Sequence, residues 1–136
     1  MLTARLVVDF GLVVLIWLVQ LIIYPGFAYY SPADLAIWHP KYTSLITFVV
    51  GPLMLAQVAA TGLSLTSQFS WLTLIVAVLV VVVWWSTAFQ AIPLHNRIDA
   101  GIDLPRTIAD LVRVNWPRTI IWTLIFGIDL FQYYTR

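Results

Sequence analysis

The sequence predicts an all-α fold: a polytopic membrane four-helix bundle, up-down-up-down, with a short interfacial helix before the second span. Two observations lead to this prediction. First, 62% of the 136 residues are hydrophobic and 10% are charged, whereas about a quarter of the residues in a soluble domain are charged. Second, the mean hydropathy is +0.94, and the apolar residues gather into four windows close to the roughly 20 residues that cross a bilayer as a helix.

These windows define the expected spans within a single domain, residues 1–136. The spans cover about residues 6–24, 42–63, 71–92 and 116–134. The last helix is expected to begin earlier than its span, because Asp103 can cap a helix and Pro105 suits a first helical turn. Short connections between successive spans favour antiparallel neighbours.

The expected interfacial helix lies in the segment SPADLAIWHPK, residues 31–41. A Ser-Pro pair is typical of a helix start, and Asp34 would lie in its first turn. Because Pro40 disfavours helical geometry at the residue before it, we expect this helix to break near His39. After the third span, Gly101 is expected to end the helix.

Charge and cysteine content limit the chemistry and the orientation. The formal net charge is +1, without the dense basic patch that binding to nucleic acid requires, so no nucleic-acid partner is expected. The chain has no cysteine, which excludes thiol chemistry and cysteine-ligated metal sites. Most of the Lys and Arg residues lie on the side where the first and third spans end, and the positive-inside rule places that side in the cytoplasm. These residues are Lys41, Arg97, Arg106, Arg113 and Arg118.

Polar residues near that side form a candidate site. His39 begins the second span and His95 ends the third, so the topology places the only two histidines on one side and at similar depth. Asn115 and Arg118 lie at that level on the fourth helix and share one face. Arg118 directly precedes an apolar run, where a charge is costly unless it snorkels or faces a partner. The alternative is that all four are ordinary helix-end side chains at the membrane surface.

A tryptophan pair on the third span has both a functional and a structural interpretation. Trp84 and Trp85 are adjacent, so one is expected to face lipid and the other the bundle. We take Trp85 as the candidate for stacking on a flat ligand or cofactor. Core packing is the alternative role.

Acidic residues also lie near the opposite side of the predicted bundle. Asp9 and Asp129 are within reach of Arg5 and Arg136. We expect these residues to form ion pairs at the membrane interface rather than a proton relay.

Motifs along nearly the whole chain resemble those of a family of small, uncharacterised bacterial four-helix integral membrane proteins. Tyr24-Pro25 closes the first helix, and His39 precedes ITFVVGPLML, residues 46–55. PLHN, residues 93–96, precedes Gly101, and the fourth helix contains LVRVNWPRTIIW, residues 111–122. The resemblance implies an integral multi-pass protein of the bacterial cytoplasmic membrane.

The layout is more distantly similar to two other membrane families. The anthrone-oxygenase-like family has a Pro and an Asn after its third helix and a Trp and an Arg in its fourth. The four-helix protoporphyrinogen oxidase shares the Tyr-Pro end of the first helix, and this similarity implies haem or porphyrin chemistry. That family has a histidine within its first helix, whereas the comparable stretch here, VVDFGLVV, has none.

Two functions are consistent with these residues. The first is an oxidoreductase that acts on a lipophilic aromatic or quinone-like substrate entering from the lipid bilayer. His39 and His95 would serve as acid/base groups or as ligands of a haem or a metal, since a neutral imidazole suits either task. Asn115 and Arg118 would hold a carbonyl or an oxyanion. The alternative is a non-catalytic accessory subunit that binds a cofactor or lipid in a larger membrane complex or homo-oligomer.

Overall fold

The computed structural model describes residues 1–135, and this part of the chain is almost entirely helical. Four long helical segments follow one another: α1 (Leu2–Tyr29), α2 (Pro32–Ser67), α3 (Trp71–Asp99) and α4 (Leu104–Tyr134). The described residues contain no β-strand. The prediction of an all-α fold with four long helices is confirmed.

The four helices differ in polarity. α1, α2 and α3 are long and apolar enough to cross a membrane. In α4, buried residues recur every three or four positions from Thr107 to Gln132 and form one continuous inward stripe. Several members of this stripe are polar, among them Asn115, Arg118 and Asp129. The predicted span 116–134 therefore lies in a helix that directs its polar side chains toward its neighbours.

α2 is one continuous helix, so the predicted break near His39 is wrong. The segment SPADLAIWHPK forms the first turns of α2 instead of a separate interfacial helix. Ser31 caps these turns, because its side-chain oxygen accepts a hydrogen bond from the Asp34 amide at 3.1 Å. Pro40 removes a single amide donor, and the helix continues because His39, with an exposed fraction of 0%, is held against α3 by two side-chain hydrogen bonds.

α1 and α3 each contain one π-helical turn shortly before a proline. These turns are Val19–Ile23 in α1 and Thr87–Ala91 in α3. A π turn contains one more residue than an α turn, so it changes the direction in which the following side chains point. Tyr24 comes directly after the first turn and His95 follows the second within one helical turn, and both reach the interior of the bundle.

The helices pack around one apolar core. α1 and α3 each contact both α2 and α4. The centre of the core contains aliphatic side chains with almost no exposed surface: Leu12, Val76, Val83, Leu111 and Ile125. Polar side chains are buried at both ends of this core.

At one end, Arg5 and Asp129 form an ion pair. The predicted pairing is found for these two residues, but their side chains are only 2% and 0% exposed. The pair therefore lies inside the bundle, not on its surface as an interface position would require. Asp9 is also buried and accepts a hydrogen bond from Gln57 at 2.7 Å. Arg136, the other predicted partner, lies outside the described residues.

The connection between α3 and α4 depends on a glycine. Gly101 has a φ of +69°, and the amides of Gly101 and Ile102 donate to the carbonyls of Ile98 and Arg97 at 2.9 and 3.0 Å. This is the Schellman pattern of a helix end, so the predicted role of Gly101 is confirmed. Asp103 precedes α4, but its side chain makes no capping hydrogen bond. Its backbone is left-handed, with a φ of 42°, whereas a capping residue is extended.

We expect Gly101→Ala to lower the free energy of unfolding by about 1–2 kcal/mol, because an alanine in the left-handed region is strained. The measurement is denaturant unfolding in detergent followed by circular dichroism. Gly127→Ala is the matched control, since Gly127 lies within α4 and an added Cβ there meets nothing within 4 Å. Equal effects of the two substitutions would contradict the role assigned to Gly101.

Candidate functional site

A cavity of about 440 Å³ opens between the helices. Its volume falls within the range of sites for small molecules. Most of its wall is apolar and comes from α1 and α2, including Leu12, Ile16, Ile46, Val50 and Met54. At one end the wall becomes polar, and there it includes Tyr24, His95, Asp99 and Arg118.

The two histidines lie side by side at this polar end. His39 Nε2 and His95 Nδ1 are 2.9 Å apart, and the ring centroids are 5.0 Å apart in a stacked arrangement. His95 lines the cavity, whereas His39 lies behind it. The Phe27 ring packs edge-on against His39 with a centroid distance of 5.0 Å. The predicted meeting of His39 and His95 is therefore observed, with only one of them reaching the cavity.

Two more residues extend the histidine pair into a chain of four side chains. His39 Nδ1 lies 2.6 Å from a carboxylate oxygen of Asp99, and His95 Nε2 lies 3.0 Å from the hydroxyl of Tyr24. The Asp99 side chain is 36% exposed, whereas Tyr24 is buried. The hydrogen bonds thus lead from a buried phenol to a partly exposed carboxylate. We call Tyr24, His95, His39 and Asp99 the histidine chain.

The direction of these hydrogen bonds follows from the carboxylate. An ionised Asp99 only accepts, so His39 donates to it from Nδ1 and a neutral His39 must accept at Nε2. His95 then donates from Nδ1 and accepts at Nε2, where Tyr24 donates its hydroxyl proton. Every donor in the histidine chain therefore points toward Asp99.

Arg118 is held beside the cavity by a second network. Its Nη1 donates to the side-chain oxygen of Asn115 at 3.0 Å, and Asn115 donates to Gln20 at 2.8 Å. Gln20 in turn donates to the Val112 carbonyl at 3.2 Å. The guanidinium also lies over the Trp122 ring, 5.4 Å from its centroid. Arg118 Nε is buried and has no hydrogen-bond partner, and other atoms of Arg118 line the cavity.

The structure brings four of the five predicted site residues together. His95 and Arg118 line the cavity, His39 supports His95, and Asn115 positions Arg118. Trp85 is 55% exposed and does not line the cavity, so the structure does not bring it to the site. Its neighbour Trp84 lines the cavity instead.

Sequence reasoning missed three members of the site: Tyr24, Asp99 and Gln20. Asp99 follows His95 by four positions on one helix, a spacing that places two side chains on the same face. That spacing could have identified Asp99. Tyr24 was noted only as part of a motif, and nothing in the sequence indicates the π turn that precedes it.

The histidines do not fit the expected role of haem or metal ligands. All four ring nitrogens of His39 and His95 are engaged by protein groups, and ligation would break one of these hydrogen bonds. Within residues 1–135, no group of three His, Cys, Asp or Glu side chains is placed to hold a metal ion. The geometry favours acid/base chemistry for the pair.

Comparison of the chain with protein-family models, curated proteins and solved structures finds no match. The family resemblance of the motifs therefore stays a prediction. The site is interpreted from its own geometry.

The hydrogen-bond pattern predicts that both histidines carry their proton on Nδ1, whereas a free neutral imidazole in water favours Nε2. The measurement is ¹⁵N NMR of protein with labelled histidine, in which protonated and unprotonated ring nitrogens have separate chemical shifts. Asp99→Ala should release His39 from the Nδ1 form, while Asp34→Ala, at an exposed position whose carboxylate bonds Ser31, should leave both rings unchanged. Nε2 protonation of both rings in the unmodified protein would contradict the direction we assign.

Proposed function

We propose that the chain is an integral protein of a bacterial cytoplasmic membrane. Three helices long and apolar enough to span a bilayer support this proposal. The outer surface supports it as well, because large apolar side chains on several helices are more than half exposed. They include Val7, Phe10, Phe48, Leu55 and Val81. A surface of this kind is unfavourable in water and favourable in lipid.

Contacts between helix ends support the up-down-up-down topology. Tyr24, near the end of α1, meets His95, near the end of α3, and His95 in turn meets His39, near the start of α2. At the opposite end, Arg5 near the start of α1 donates to Thr73 near the start of α3. In this topology the histidine chain and the cavity belong to the side that the positive-inside rule places in the cytoplasm.

Single cysteines test this topology, since the natural chain has none. We expect a membrane-impermeant maleimide to label Ser67→Cys in intact cells and to label Asp103→Cys only after the cells are opened. Both positions are exposed; Ser67 is the last residue of α2, and Asp103 lies between α3 and α4. Labelling of both variants from the same side would contradict the topology, and exchange of the two results would reverse the orientation.

We propose that the cavity is an acid/base site that takes a proton from a lipophilic aromatic, quinol-like substrate, as a step in the oxidation of that substrate. The observation that carries this proposal is the histidine chain, which connects the buried Tyr24 hydroxyl to the partly exposed Asp99 carboxylate at the polar end of the cavity through three hydrogen bonds of 2.6 to 3.0 Å. The apolar wall suits the body of an aromatic molecule. The positive charge of Arg118, which lines the cavity, suits the oxygen of that molecule.

The proton would move by successive short transfers. The substrate hydroxyl gives its proton to the Tyr24 oxygen as Tyr24 gives its own to His95 Nε2. His95 passes the Nδ1 proton to His39 Nε2, and His39 passes its Nδ1 proton to Asp99. Asp99 releases the proton to water, because its side chain is partly exposed. The substrate oxyanion remains beside Arg118, whose charge stabilises it in a cavity of low polarity.

Oxidation also requires an electron acceptor. In the reaction we propose, a quinol and dioxygen give a quinone and hydrogen peroxide, so two electrons and two protons leave the quinol. The residues described here account for the first proton and for the stabilisation of the oxyanion. Ionisation of the quinol matters because the anion gives up electrons more readily than the neutral molecule.

We expect Tyr24→Phe to lower kcat for oxidation of a naphthoquinol by at least about 10²-fold, the lower end of the contribution of general acid/base groups. KM should change little, because the ring that shapes the cavity is kept. The rate is measured as quinone absorbance in detergent micelles under air. Tyr133→Phe is the matched control, since Tyr133 is exposed at the other end of the bundle.

The same assay separates the accessory-subunit alternative from the enzyme. A naphthoquinone that quenches tryptophan fluorescence less in Trp84→Leu than in the unmodified protein occupies the cavity, which Trp84 and Trp122 line. Binding without turnover would contradict the enzyme proposal and support a non-catalytic carrier of a lipophilic molecule. Turnover that is unaffected by Tyr24→Phe would exclude the histidine chain from the reaction.

A further inference from the structure

A second group of ionisable side chains lies near the beginning of α1, away from the histidine chain. It consists of Arg5, Asp9 and Asp129, with exposed fractions of 2%, 2% and 0%. α2 and α3 contribute the neutral side chains of Gln57 and Thr73 to this group. One buried cation therefore faces two buried carboxyl groups. An unbalanced charge in such surroundings is costly unless it is neutralised.

The hydrogen bonds of the two carboxyl groups leave one oxygen without a donor. Asp129 Oδ1 accepts from Arg5 Nη2 and from Gln132 Nε2, the latter at 3.1 Å. Asp129 Oδ2 is buried and has no hydrogen-bond partner. Asp9 Oδ1 accepts from Gln57 Nε2 at 2.7 Å. The Asp9 carboxyl also lies within hydrogen-bonding reach of the Asp129 carboxyl, and two ionised carboxylates in such contact repel each other.

We propose that this group is a proton-binding site, in which Asp9 holds a proton and donates it to Asp129 Oδ2. The proton makes the three side chains neutral as a whole. It also supplies the donor that Asp129 Oδ2 lacks. Binding and release involve only the reaction of the Asp9 carboxylate with a proton, so no electrons or other groups are exchanged.

The amide side chains around the pair favour a proton over a metal cation. Gln57 and Gln132 both direct their NH₂ groups toward the carboxyl groups, at 2.7 and 3.1 Å. A bound metal ion would require oxygen ligands in these positions, because an NH₂ group does not ligate a cation. Arg5 adds a further positive charge to the pair.

The proton site is connected to the wall of the cavity. Gln57 donates to Asp9 and accepts a hydrogen bond from the Trp122 indole at 3.2 Å. Trp122 lines the cavity and lies beneath Arg118. A molecule that shifts Trp122 would therefore alter the hydrogen bond to the Asp9 carboxyl. This site stands on its own residues and does not depend on the reaction proposed for the cavity.

Infrared spectroscopy of the full-length protein in detergent tests the proposal. A protonated carboxylic acid has a carbonyl stretch separate from the bands of a carboxylate, and this stretch shifts when water is replaced by heavy water. We expect one such band at neutral pH in the unmodified protein. Asp9→Asn should remove it, whereas Asp103→Asn should leave it, because Asp103 is exposed.

Thermal unfolding of the same variants provides a second readout. An asparagine at position 9 can donate its NH₂ group to Asp129 Oδ2 and still accept from Gln57, so Asp9→Asn should unfold close to the temperature of the unmodified protein. Asp129→Asn removes the partner of a buried guanidinium, so it should unfold at a clearly lower temperature. Absence of a protonated band, or a band that survives Asp9→Asn, would overturn the proposal. Stabilisation by NaCl but not by choline chloride, without a protonated band, would indicate that the site binds a sodium ion instead of a proton.

Discussion

A buried polar side chain must find its partner inside the protein, and this constraint organises the whole bundle. Leaving such a group without a partner costs about 1–3 kcal/mol, and more when the group is charged. Of the described helices, α4 carries more of these groups than any other and holds them along one stripe, so the other three helices must present complementary side chains at matching heights. α1 does so with Gln20 and Arg5, and α2 does so with Gln57. The register of the four helices is therefore fixed by hydrogen bonds as well as by apolar packing, which alone would permit sliding of smooth aliphatic surfaces.

The apolar windows and the polar interruptions of the sequence were sufficient to predict the number of helices, their approximate bounds and the meeting of His39 with His95. These predictions depend on composition and on helix order, both of which the sequence contains directly. The break expected at Pro40 was wrong, because a local backbone preference is weaker than the tertiary contacts that hold His39. The selection of Trp85 as the residue that faces the cavity was also wrong, since Trp84 lines it. Adjacent residues on a helix point in different directions, and a small change in the preceding turns decides which of them faces inward.

Such a change in direction explains why Tyr24 was not predicted as a member of the histidine chain. Each π turn adds a residue to one turn of helix and so redirects every side chain after it, and nothing in the composition of VQLII or TAFQA indicates such a turn. Tyr24 and His95 owe their inward direction to these turns. The two turns lie in different helices, yet the side chains that they redirect, Tyr24 and His95, meet at a single hydrogen bond of 3.0 Å. A prediction based on ideal helices would point at least one of these side chains elsewhere.

The common direction of the donors in the histidine chain has a consequence for its timing. After one proton has passed to water, the hydrogen bonds between Tyr24, His95 and His39 would run in the opposite sense, with the rings protonated on Nε2. His39 Nδ1 and the Asp99 carboxylate would then have no proton between them. In that state the chain can return a proton to the cavity but cannot accept a second one. The positions of the ring protons would therefore differ before and after a transfer, and they would determine the direction of the next one. In the proposed reaction, repeated transfers in one direction would require both imidazoles to recover their first form, and this recovery, independent of the molecule in the cavity, would set an upper limit on the rate.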